Sequence, residues 1–335
     1  EFHGGAIYDF RNEDLSGVSA RQTSLDIKQY GFQLGGPIIK NKLQFYVAPE
    51  WQQRTSPASG PFVGQATGST GTALNISADT IALVQNIINT KMGFDPGTAG
   101  RVDIANPLTN LFGRLDFQLN DVHRLVLRQL VNRTENLAFS RNSNTFNPSV
   151  TVQNQGFRLG SNSFNGVNTN NSTVAQMYSN FSSGISNEFI AGFNQIRDQR
   201  IVPGQITPEM SVGVVPIGGS TPTGVITFGT EQFSVGNDLK QNMLELQDNV
   251  SIPFGAHTFT VGGRYEHLHV YDFFAQAAGG VWVFPNTTAL NNLQPSGYRV
   301  AYANSGNPSD IPATFNTDMK SLYVQDQWAM SPNLT

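Results

Sequence analysis

The sequence predicts an all-β fold: a transmembrane antiparallel β-barrel, partial, with about ten strands and long connections at one end. Three observations carry this. Ten segments alternate apolar and polar residues with period two. The connections between them alternate strictly between short and long. Charged residues make up only 13% of the chain, against about 25% in an ordinary soluble domain.

The strand candidates in order are 2–11, 27–35, 42–53, 110–119, 122–135, 173–183, 187–199, 241–252, 257–271 and 320–329. In YGFQLGGPIIKNKLQFYV, Tyr30, Phe32 and Leu34 share one face, with Gly31, Gln33 and Gly35 on the other. Leu43, Phe45 and Val47 repeat the pattern after the turn, which reads as a β-hairpin with one apolar side. In NLFGRLDFQLND, Leu111, Gly113, Leu115, Phe117 and Leu119 oppose Arg114, Asp116 and Gln118. In HTFTVGGRYEHLH, Phe259, Val261, Gly263 and Tyr265 oppose Thr258, Thr260, Arg264 and Glu266. Segments of about ten residues suit a tilted membrane-crossing strand (~9–11) better than the globular mode of ~5–6.

Short connections fall at 36–41, 120–121, 184–186, 253–256 and 331–333; long ones at 12–26, 54–109, 136–172, 200–240 and 272–319. All short turns therefore lie at one end of the strands and all long loops at the other. Outer-membrane barrels have this asymmetry, with short periplasmic turns and long extracellular loops. A soluble sandwich shares the facing code but has no reason to sort its loops.

The long connections are polar and turn-rich, most of all 142–172. One holds a helix candidate, SADTIALVQNIINTKMG: Ser77 caps it, Ile81, Val84, Ile87 and Ile88 form an apolar face, and Gly93 follows. We expect this helix to belong to a small loop subdomain packing on itself.

Composition excludes several classes. Net charge is −4 with no basic cluster, so nothing points to nucleic acid. The chain has no cysteine, hence no disulfide framework or thiolate metal site. Aromatic content of 10% argues against disorder. No apolar run approaches the ~18–20 residues of a transmembrane helix. Glu1 and Phe2 read as the interior of a strand, and SPNLT as the start of another, so the expectation is a fragment, 1–335, of a longer barrel.

Motifs for covalent chemistry do not emerge. GGPIIK lacks the spacing of a phosphate loop, and no Gly-x-Ser-x-Gly elbow occurs. The matches to Asn-x-Ser/Thr at Asn171 and Asn180 are expected from composition. In EHLHVYD, His267 and His269 share a strand face at metal-chelating spacing, with Asp272 nearby. The plainer reading makes them polar rings at the membrane rim, and no third ligand is fixed by spacing. Trp51, Trp328, Tyr271 and Tyr323 near strand ends suit an interfacial girdle. Trp282 and Tyr298 in a long loop are candidates for stacking on a solute.

Several stretches resemble one known family. EFHGGAIYDFRNEDL, YGFQLGGPIIKNKLQFYVAPE, LFGRLDFQLNDVHRLVLR, NEFIAGFNQIRDQR, LQDNVSIPFGAHTFTVGGRYEH and SLYVQDQWAMSPNLT are similar, in this order, to strands of Oar-like TonB-dependent outer-membrane receptors. The resemblance covers most strands and turns but few loop residues. It implies a carboxypeptidase-regulatory-like domain and a plug before a barrel of about 22 strands, of which these form the first half. It also implies location in the outer membrane of a diderm bacterium, contact with the TonB complex through the preceding part, and import of a scarce, bulky solute. No cofactor or enzymatic activity is implied. Lumen- or plug-facing candidates are Gln33, Arg114, Asp116, Arg124, Arg128, Arg264 and Glu266, for each of which the plainer reading is a structural ion pair lining the wall. Two rival readings stay open: a passive porin-like or surface-scaffold barrel, and a secreted soluble β-sandwich adhesin or lectin.

Overall fold

The computed structural model describes residues 1–16, 25–65, 73–143, 156–331 and 334. Its strands are β1 (His3–Arg11), β2 (Asp26–Ile39), β3 (Leu43–Pro57), β4 (Asp103–Ala105), β5 (Leu108–Gln118), β6 (His123–Ala138), β7 (Asn142–Ser143), β8 (Gly156–Arg158) and β9 (Phe164–Asn180). They continue with β10 (Ser186–Ile201), β11 (Glu209–Val214), β12 (Gly224–Phe228), β13 (Gly236–Phe254), β14 (His257–Ala275), β15 (Val281–Phe284), β16 (Gly297–Arg299) and β17 (Ala313–Trp328). Helices are α1 (Glu13–Ser16), α2 (Ala78–Ile87), prolonged by a π-turn over Ile88–Met92, and α3 (Thr287–Asn291).

The long strands pair antiparallel in one sheet, in the order β1-β2-β3-β5-β6-β9-β10-β13-β14-β17, with β4 added beside β3. The sheet is an open wall whose end strands do not pair with each other. All ten strand candidates are in it, so a two-layer sandwich is set aside. Turn chemistry fixes the short ends. Asn41 (φ 59°), Gly184 (φ 83°) and Gly255 (φ 61°) take the left-handed conformation such turns demand. The Asn120 side chain accepts hydrogen bonds from the Val122 and His123 amides, an Asx-type closure. The expected turn at 331–333 falls largely outside the described residues. Pro37 interrupts the β2–β3 register, where a residue without an N–H is tolerated.

The strands run well past the expected bounds. β9 starts at Phe164 rather than 173, and β17 at Ala313 rather than 320. β13 and β14 have 19 residues each, about twice what a bilayer needs. One wall face explains this. Its rows Phe45–Leu115–Leu127–Ala175–Ala191–Leu246–Tyr265 are apolar, ending in a Tyr. Two rows nearer the long connections, the same face reads Val131–Asn171–Gln195–Asn242–His269–Asn316. Alternation fades there because both faces are polar, although the ladder continues.

The long connections also differ from expectation. β7, β8, β11, β12, β15 and β16 form a second, six-stranded sheet in the order β16-β15-β11-β12-β8-β7. Three connections supply it, which is why β11 pairs parallel with β15 and β12 with β8. Helix α2 forms as expected: Ser77 accepts from the Thr80 amide, and Gly93 ends the turn at φ 74°. Its Ile81, Val84 and Ile88 pack on Phe157, Val212, Ile226, Phe228, Phe284 and Leu290. The helix thus joins a core shared between loops instead of packing within its own. Part of the polar stretch 142–172 lies outside the described residues; of the rest, Phe157 and Leu159 are buried core.

Candidate functional site

The polar face of the wall collects the charged residues singled out from sequence. Antiparallel pairing sets directly opposite residues on one face. One row runs Tyr46–Arg114–Arg128–Val174–Gly192–Glu245–Glu266–Met319, and the next Gln44–Asp116–Val126–Gln176–Ile190–Gln247–Arg264–Ser321. Gln33 reaches the same face, where it accepts from the Tyr46 hydroxyl at 2.7 Å. Arg124 lies across from Gln118 and Tyr178 on this face, its guanidinium 4.8 Å from the Tyr178 ring.

The two ends of this face are unequal. On β5 and β6, Arg114 grips both oxygens of Asp116 at 2.6 and 2.7 Å, a bidentate pair. Arg128 stands opposite Arg114, and its buried Nε has no hydrogen-bond partner among the described residues. On β13 and β14, Arg264 is held between Glu245 at 3.1 Å and Glu266. Glu188 of β10 lies on the same face and accepts from Gln176. On this face β5 and β6 thus carry three arginines with Asp116, and β10, β13 and β14 carry three carboxylates with Arg264. Between β2 and β5 a cavity of about 820 Å³ opens near the Lys40–Asn41 turn. Gln33, Gln44, Tyr46, Phe112, Arg114 and Asp116 line it, and Tyr46 meets Phe112 edge-on at 6.1 Å.

The aromatic girdle expectation needs one correction. Trp328 stacks on His257 at 5.4 Å, and Trp51 on Tyr30 at 5.7 Å, both on the apolar face. Tyr323 instead pairs with Gly262 on the polar face, where its hydroxyl bonds Asn249 and Gln247. Glycine at 262 is required because a β-carbon would enter the Tyr323 ring.

His267 and His269 lie on the other face, toward the long connections. Nδ1 of His267 contacts Asp318 at 2.9 Å, and Nδ1 of His269 contacts the Asn316 amide oxygen at 2.8 Å. Asp272, an odd number of residues away, points to the opposite face. No group of three or more His, Cys, Asp or Glu suited to a metal occurs among the described residues.

The second sheet stands at the end of the wall bearing the long connections. Arg141 is buried there and donates to the carbonyls of Thr98 (2.8 Å), Arg158 (2.6 Å) and Gly100, with its guanidinium over Phe139 and Phe157. Burial lowers its pKa to about 10. Glu209 is also buried, and desolvation pushes its carboxyl above the ordinary range. It accepts from Asn162 Nδ2 and from the Gln232 amide, both at 3.1 Å, and from Gln232 Nε2 at 2.9 Å. Glu231 ties this sheet to the wall through Arg200 of β10 at 3.2 Å. Trp282 is half-buried against the core, and the exposed Tyr298 meets it edge-on at 6.0 Å.

Sequence reasoning missed the second sheet and its polar anchors Arg141 and Glu209. The signal was present in the runs EMSVGV, GVITF and VWVF, bounded by Gly and Pro, which are short enough for buried strands.

Comparisons with known proteins agree with this architecture. The chain is similar in fold to the outer membrane transporter YddB from Escherichia coli, with a TM-score of 0.52 and 10% identity over 90% of this chain and 32% of that one. It is also similar to a mutant of the ferric enterobactin receptor PfeA from Pseudomonas aeruginosa, with a TM-score of 0.51 and 14% identity over 99% of this chain and 38% of that one. The chain therefore spans about a third of the length of these structures. A search of curated protein sequences finds no match. The profile of the family described as "Outer membrane beta barrel domain" matches residues 1–335, the whole chain. With one apolar and one polar face along its wall and a second sheet built from its long connections, this chain belongs to the outer membrane β-barrel family and resides in the outer membrane of a Gram-negative bacterium.

Proposed function

We propose that the chain is the N-terminal half of the barrel of a TonB-dependent receptor, and that the whole protein imports a scarce, bulky, polar solute. The observation that supports this reading most is the pairing of two features on one wall. A folded second sheet built from three long connections lies at one end of a wall whose polar face bears Arg114, Arg124, Arg128, Arg264 and Glu266. A passive pore needs an open mouth, whereas a cap with its own core suits capture followed by gated entry. YddB is described as a transporter and PfeA as a ferric enterobactin receptor, which supports a transport role on fold likeness alone.

In this reading the inner-face residues, Gln33 and Asp116 included, contact a plug or passing solute. Tyr298, backed by Trp282, offers a stacking surface at the cell exterior. The plug, the TonB-contacting segment and a carboxypeptidase-regulatory-like domain of the Oar-like group would precede Glu1 in the whole protein. No residue performs covalent chemistry; the barrel orients and conducts.

The test is uptake by cells producing the full-length protein, with and without TonB. Growth on candidate siderophores, oligosaccharides and peptides identifies the solute class. Uptake that stops without TonB supports the reading. Uptake that continues at full rate replaces it with a passive pore.

A further inference from the structure

The polar face of the wall changes character toward the long connections. The three rows that follow the Arg114–Arg128–Glu245–Glu266 row carry, from β3 to β14, only Glu50, Asp198 and Asp272 as charges, and no Lys or Arg. Arg200 stands one row further on, engaged by Glu231 at 3.2 Å and 4.3 Å from the centre of the Phe164 ring. In the middle of the three rows, Asn110, Asn132, Asn168, Asn170, Asn194 and Ser172 form one neutral patch over β5, β6, β9 and β10. Each of these four strands is paired on both sides, so the patch lies within the wall and not at an end of it.

Amides on the two faces of these strands are satisfied differently. On the apolar side's polar extension, Gln129 donates to Asn171 and accepts from Thr173, so these side chains complete one another. On the polar face Asn132 donates to Asn110, whereas Oδ1 of Asn170 and Oδ1 of Asn194 have no hydrogen-bond partner among the described residues. A buried acceptor without a donor costs free energy that a ligand hydroxyl would remove. Both residues are only partly buried, and the broad χ2 of Asn lets each amide turn to meet such a hydroxyl. Phe112, Leu130 and Ile196 border the amides with apolar surface.

We propose that this patch is a solute subsite and that the solute is neutral and rich in hydroxyls, an oligosaccharide in class. The inference rests on the receptor reading above and narrows it. An amide holds donor and acceptor in one plane, and a sugar hydroxyl both donates and accepts, so each satisfies the other without charge. The apolar border suits the C–H faces of sugar rings, and such a mixture is usual in small-molecule sites. A ferric catecholate, being anionic, would meet three rows with carboxylates and no cation to form charge-assisted bonds. A basic peptide would meet single carboxylates on β3, β10 and β14, at least two strands apart.

The full-length protein, folded in mild detergent and immobilised, is offered separate pools of neutral oligosaccharides, ferric catecholates and basic peptides. Mass spectrometry identifies what is retained. Oligosaccharide should be retained, and the other two pools should pass. Asn170→Ala should weaken oligosaccharide binding about fivefold, and Asn194→Ala similarly, each through one lost hydrogen bond. Asn171→Ala, on the same strand but the opposite face, should leave it unchanged. Heat-modifiable migration on a gel reports whether each variant is folded; should Asn170→Ala misfold, Asn194→Ala decides. Retention of ferric catecholate or peptide in place of oligosaccharide overturns the class and leaves the receptor reading standing. Oligosaccharide retention with uptake indifferent to TonB keeps the class and overturns the receptor reading. No retention from any pool overturns the proposal, as does unchanged binding in both Asn170→Ala and Asn194→Ala, or an equal loss in Asn171→Ala.

Discussion

Arg128 faces Arg114 directly across the β5–β6 ladder, and the two do not share their counter-ion equally: Asp116 is chelated by Arg114. Like charges directly opposite in a sheet destabilise it, so the arrangement costs the isolated wall stability. An acidic partner inside the barrel would offset that cost.

Arg128→Gln should therefore stabilise the barrel alone by up to about 1 kcal/mol. Asp116→Asn should destabilise it by a similar amount, by leaving two guanidiniums face to face. Urea titrations of the barrel in vesicles measure both. A loss of stability in Arg128→Gln would show that Arg128 has a carboxylate partner within the wall.

Facing gives a second expectation. Leu115 lies on the apolar side, and Asp116 on the polar side. Leu115→Arg should cost about 2–4 kcal/mol near the bilayer centre, the cost of placing a cation against lipid. Equal stability of Leu115→Arg and Leu115→Ala in the same titration would reverse the faces.

The cap should melt independently of the wall. Phe157 is fully buried in the shared loop core, so Phe157→Ala should cost about 3–5 kcal/mol there. Limited proteolysis should then cut within the long connections while the barrel keeps its heat-modifiable migration. Loss of that migration would mean that the cap is required for barrel assembly.

Glu209 makes the cap sensitive to pH. Its carboxyl titrates above the ordinary 4.5 because burial disfavours the charge. The unfolded cap loses this proton first as pH rises, so the folded cap is most stable below about 4.5 and weakens through the raised pKa. Protection of the β11 amides, taken relative to their intrinsic exchange at each pH, should fall over that interval. Protection that rises with pH would contradict the assignment.

Much of this architecture was legible in the residues. The parity of Leu115 against Asp116, or of Val261 against Arg264, was set by the two-residue period of a strand. Asn41, Gly184 and Gly255 marked turns because few residues tolerate positive φ. Strand extents were not legible where both faces are polar, as in Asn168–Ser172 of β9, which reads as loop composition. Cross-strand partners depend on register over several strands, so Glu245 beside Arg264, or Arg128 opposite Arg114, could not be read from spacing. The cap escaped notice because each connection contributes only a few residues to it, and β8 and β15 acquire partners only from other loops.

Cysteine labelling tests the central claim most directly, because the chain contains no cysteine of its own. Single substitutions Ser220→Cys and Ser305→Cys lie in exposed long connections, and Asp121→Cys and Ala256→Cys in short turns. With the full-length protein in intact cells, a membrane-impermeant maleimide should label positions 220 and 305, and positions 121 and 256 only after the outer membrane is opened. Labelling of 121 and 256 in intact cells, with 220 and 305 protected, would contradict the account by placing the cap in the periplasm.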